Sequence, residues 1–92
     1  MSDLNFLRSE INNLHSQIIA LILKRLALAK EIAKLKSAQK IELEDLSREK
    51  EIIHQFDSQI VNDSEKLAVQ NILRCILNES KVVMRESINE KK

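Results

Sequence analysis

The chain has 92 residues, a net charge of +1, and no glycine, proline, tryptophan or tyrosine. Missing turn-formers and aromatics exclude a fold of hairpins, and abundant Leu, Ile, Ala, Lys and Glu predict an all-α domain of a few long helices. Balanced, interspersed charge and short apolar runs predict no nucleic-acid partner and no membrane partner.

The first predicted helix runs from about Asp3 to Lys36, with Asp3 as N-cap and no breaker after it. Leu7, Ile11, Leu14, Ile18, Leu21, Arg25, Leu28, Ile32 and Leu35 alternate in steps of four and three, the rhythm of a helix packed on other helices. At about 1.5 Å per residue this helix is roughly 50 Å long, whereas a compact chain of this size has a radius of gyration near 12 Å. The helix must overhang its own subunit. The expectation is an intertwined antiparallel homodimer whose long helices cross near Ile18 or Ile19.

Arg25 interrupts the apolar seam. A buried guanidinium needs an anion, so a protein carboxylate (Glu49 or Glu79) or a bound ligand should meet it. Arg8, His15, Arg25 and Lys36 fall on a second row of the same periodicity. Arg25 and Lys36 are roughly 16 Å apart along the axis, close enough for long side chains to flank one small ligand. Arg8 is too far along the helix to join them within one chain. In the antiparallel dimer, Arg8 of the partner subunit would fall opposite about residue 30, between the two.

A linker over about residues 37–43 loses the period. The second helix is predicted from about Glu44 to Ile60, with Leu46, Ile53, Phe56 and Ile60 facing in and Asp45, Arg48 and Glu49 on a shared face. Asn62 and Glu65 fit a capping box. The third helix is predicted from about Ser64 to Arg85, with Val69, Ile72, Leu73, Ile76, Leu77, Ser80 and Val83 or Met84 inside. A mid-helix serine such as Ser80 ordinarily bonds back to its own helix. Residues 86–92 are expected to fray, and the whole chain, 1–92, reads as a single domain with a single function.

Cys75 cannot form an internal disulfide and reads as a small core residue. His15 and His54 have no converging Cys, Asp or Glu at ligand spacing, so no metal is expected. The N-terminus shows no basic segment before an apolar stretch, and the cytoplasm is the expected compartment.

Taken together, Leu7-Arg8, Ile11, Leu14, Arg25, Ala29, Ile32 and Lys36, then Asp45, Arg48-Glu49 and Glu79-Ser80, resemble the small all-helical chorismate mutases over about Leu4 to Arg85. The resemblance implies three helices per subunit, an intertwined dimer, and two equivalent sites in which the partner contributes an arginine. It implies that Arg8 of the partner subunit and Arg25 bind the two carboxylates of chorismate. Lys36 would donate to a carboxylate and the ether oxygen. Glu49 and the backbone near Arg48 would hold the ring hydroxyl, with Asp45 close by, Arg48 adding positive potential and Ser80 touching a carboxylate. Arg25, Lys36 and Glu49 would be the catalytic groups. The implied role is the rearrangement of chorismate to prephenate in aromatic amino-acid biosynthesis, on the shikimate pathway. That pericyclic step needs no cofactor and no proton transfer.

Three positions depart from the family pattern. Met84 stands where most relatives carry a glutamine that donates to the ether oxygen, and a thioether cannot donate. His15 replaces a frequent aspartate, and Glu42 a frequent proline before the second helix. An isochorismate-pyruvate lyase on the same scaffold, a catalytically weak or silent helical dimer and a plain coiled-coil adaptor are the other readings.

Overall fold

The computed structural model describes residues 3–89. Three α-helices and a short 3-10 helix follow one another: α1 Asp3–Ala38, α2 Leu46–His54, the 3-10 helix Asp57–Gln59, and α3 Asp63–Asn89. The described residues contain no strand. Asp3 is the first helical residue of α1, where its charge meets the positive end of the helix.

Helix α1 stops without glycine. Lys40 takes a left-handed φ of 58°. Its amide bonds to Ser37 O at 3.2 Å and the Ile41 amide to Lys36 O at 2.8 Å. Those two bonds form a Schellman motif, whose C′ position usually falls to glycine because a Cβ is strained there. Lys40→Gly should therefore stabilise the fold by about 0.5–1 kcal/mol, read as a higher urea midpoint with unchanged slope.

The second predicted helix is shorter and interrupted. Asp45 is its N-cap, accepting the Arg48 amide at 3.0 Å. The helix ends at His54 because Asp57 is drawn into other bonds. His54 Nδ1 lies 2.9 Å from Asp57 Oδ2, and the Gln70 amide of α3 donates to Asp57 Oδ1 at 2.9 Å. These hydrogen bonds, from Gln70 first and His54 next, hold the Asp57 carboxyl below its ordinary range. The break also changes which residues face inward. Ile53 and Ile60 are half-buried as expected, but Leu46 is 62% and Phe56 38% exposed. Ile52 turns in toward α3 with Glu49, three positions before it.

Asn62 caps α3, accepting the Glu65 amide at 2.9 Å. The helix continues past the expected end at Arg85. Ser87 is buried and Ile88 packs against the core, so Glu86 to Asn89 stay helical rather than frayed. Residues 90–92 of the expected tail lie outside the described residues. Ile72 and Cys75, both expected inside, are exposed.

The core is small because α3 comes close to α1 over alanines. Ala33 is 0% exposed and clusters with Ala29 and Met84, with Leu43 and Ile88 packed against them. Helices α1 and α3 run in the same sense, Arg25 meeting Ser80 while Ala33 lies with Met84 and Ile88. Only the C-terminal half of α1 is covered. From Asp3 to Lys24 every residue of α1 is exposed, including Leu7, Ile11, Leu14 and Ile18 on the seam. The molecule is 56 Å long with a radius of gyration of 16.8 Å, as the overhanging helix requires. No helix among the described residues is long and apolar enough to cross a membrane.

Candidate active site

A cleft of about 300 Å³ lies between the C-terminal half of α1, the linker, α2 and α3. Arg25, Lys36, Asp45, Arg48, Glu49, Ser80 and Met84 all line it, together with Lys81. Its apolar wall comes from Leu28, Ala29, Ile32, Leu43, Ile52 and Leu77. Four cations face two carboxylates, so the cleft favours an anion.

The carboxylate partners expected for Arg25 are not the ones it meets. Its Nη1 donates to Ser80 Oγ at 2.6 Å. Glu79 is exposed, and Glu49 is bonded elsewhere. Ser80, in turn, is spent on Arg25 rather than on its own helix. One of the five guanidinium donors is used, which leaves a fork able to grip a carboxylate in bidentate fashion.

Lys36 is shaped by the end of α1. Its carbonyl closes the Schellman turn, and its ammonium donates to Leu43 O at 3.2 Å. The helix end and the linker thereby fix the stem, and two N–H donors remain. At the start of α2 the Asp45 carboxylate is taken by the backbone, while the Arg48 guanidinium reaches Glu51 at 3.4 Å on the exposed side. Glu49 is half-buried, and its Oε1 accepts from Lys81 Nζ at 3.2 Å. Met84 is buried on the α3 wall and presents a thioether.

Arg8 is the one sequence-chosen site residue outside the cleft; it is exposed on the overhanging half of α1. Lys81 escaped the sequence reading. It directly follows Ser80, about 100° around the helix, and reads as one more surface lysine. The available signal was its spacing: three residues before Met84, it shares a face with that residue.

A family profile described as chorismate mutase type II matches residues 7–85. The chain belongs to that family. A comparison with curated proteins finds no match. The matched span of the chorismate mutase family contains every residue lining the cleft, and also Arg8.

Proposed function

We propose that the chain is a chorismate mutase, converting chorismate to prephenate in a site shared between the subunits of an antiparallel homodimer. The observation that carries the reading is the convergence of Arg25 and Lys36, eleven residues apart on α1, on one small cleft with Glu49 of α2. The exposed apolar seam of α1 supports the dimer, and crossing near Ile18 or Ile19 brings Arg8 of the partner subunit to the cleft between them.

The reaction suits such a site. Chorismate must fold into its compact diaxial form, one C–O bond breaks as a C–C bond forms, and negative charge grows on the ether oxygen. Fixed cations and a shaped wall supply confinement and charge stabilisation without a nucleophile. Arg25 and Arg8 of the partner subunit hold the two carboxylates, with Ser80 beside Arg25. Lys36 serves a carboxylate and the ether oxygen, Glu49 accepts the ring hydroxyl, Asp45 holds the turn beside it, and Arg48 adds positive potential. The role implied is one step of aromatic amino-acid biosynthesis in the cytoplasm. Chorismate consumption, followed by absorbance for the native protein and Arg25→Ala, tests this, with isochorismate as parallel substrate to detect pyruvate-lyase activity. No turnover of chorismate would overturn it.

Met84 gives a specific ground for a second reading, a weak or silent dimer of the same fold. With no donor at that position, Lys36 alone meets the growing charge. Met84→Gln, of similar volume, should raise kcat on the order of 10²-fold with little change in KM. A native rate at background together with a large gain would favour the silent reading.

A further inference from the structure

We propose that Lys81 is a positioning residue that keeps Glu49 off the substrate-binding cations; this rests on the mutase reading above. Lys81 reaches across from α3 and bonds Glu49 Oε1 at 3.2 Å, with Glu44 of the linker at 3.9 Å. The Lys81 and Glu49 side chains are each only 20% exposed, so this pair is not an ordinary surface bridge.

The need for it follows from the composition of the cleft. Glu49 shares that space with Arg25 and Lys36. A half-buried carboxylate beside two cations is drawn to them, because their attraction is screened less there than in water. Glu49 would then occupy the donors that an incoming dianion requires. In the structure Arg25 donates to Ser80 and Lys36 to Leu43 O, while Glu49 is held by Lys81. One ammonium thus satisfies Oε1, leaves the second oxygen for a ligand hydroxyl, and keeps the cations available. Lys81 also ties α3 to α2 and to the linker, which fixes the wall on which Glu49 stands.

The test is steady-state kinetics with chorismate, alongside calorimetric titration with a bicyclic ether dicarboxylate resembling the transition state. Lys81→Met should raise KM about ten-fold and weaken the dicarboxylate similarly, with kcat little changed, because the displaced Glu49 opposes binding rather than the chemical step. Lys81→Arg should restore KM to within about three-fold of native, since it returns the charge. The double variant Lys81→Met with Glu49→Gln should have a KM no higher than Glu49→Gln alone, because the misplaced charge is gone. Circular dichroism checks folding, and Lys81→Gln replaces Lys81→Met if the latter fails to fold. A native KM in the folded Lys81 variant, or losses that multiply in the double variant, would overturn the positioning role while leaving the mutase reading intact. A native protein that neither turns over chorismate nor binds the dicarboxylate would overturn both.

Discussion

Replacing Arg25 with alanine should lower kcat/KM for chorismate on the order of 10³-fold, while the helical signal and unfolding midpoint stay near native values. Two structural facts set the size of the effect. The guanidinium is the cleft's only fork-shaped donor on α1, and Ser80 Oγ at 2.6 Å fixes its direction before any ligand arrives. In the proposed complex, losing it would remove a bidentate contact to a carboxylate and leave that carboxylate facing an apolar wall of Leu28 and Leu77. Arg25→Lys should recover only a small part, since an ammonium cannot reproduce the fork. Native-like turnover by Arg25→Ala would remove Arg25 from the site.

A single charge placed at the centre of the α1 seam, Ile18→Lys, should dissociate the protein and abolish activity together. Ile18 is half-exposed in the single chain, between Leu14 and Leu21 on the same stripe. In a two-fold assembly the substitution occurs twice near the crossing point, so two ammonium groups would be buried side by side. Light scattering at micromolar concentration should then give one chain mass for the variant and twice that for the native protein. Activity should vanish, since the proposed site loses Arg8 of the partner subunit and the separated chain loses the packing that pairing adds to its small core. Complementation separates that cause from misfolding. Arg8→Ala and Arg25→Ala chains, each inactive alone, should regain about a quarter of native activity when unfolded and refolded as an equal mixture, because one site of each mixed dimer is intact. A native protein that is monomeric, or a mixture that stays inactive, would refute the shared site.

Much of α1 was legible because its physics is local. An unbroken apolar rhythm without glycine or proline has one regular solution, and the helix ends within two residues of the expected Lys36. The Asn62 cap was legible for the same reason. The stop at His54 was not, since it depends on Gln70, which lies on another helix. The last turn of α3 is not legible because Ser87 and Glu86 look like surface, yet Ser87 is buried, three positions after Met84 on the same face. In the cleft, charge spacing along α1 located Arg25 and Lys36, but not their partners. Ser80 rather than a carboxylate meets Arg25, and Lys81 rather than Arg25 meets Glu49. Those pairings depend on how α2 and α3 are rotated, which periodicity alone leaves undetermined.

Among the described residues no large side chain is fully buried; the interior is made of two alanines, Leu77, Met84 and two serines. So little enclosed hydrocarbon cannot offset the chain entropy lost when such a long helix is ordered. In the proposed dimer, folding and pairing would form a single equilibrium. On that reading its melting temperature should climb with the amount of protein in the tube, and dilution alone should begin to unfold it.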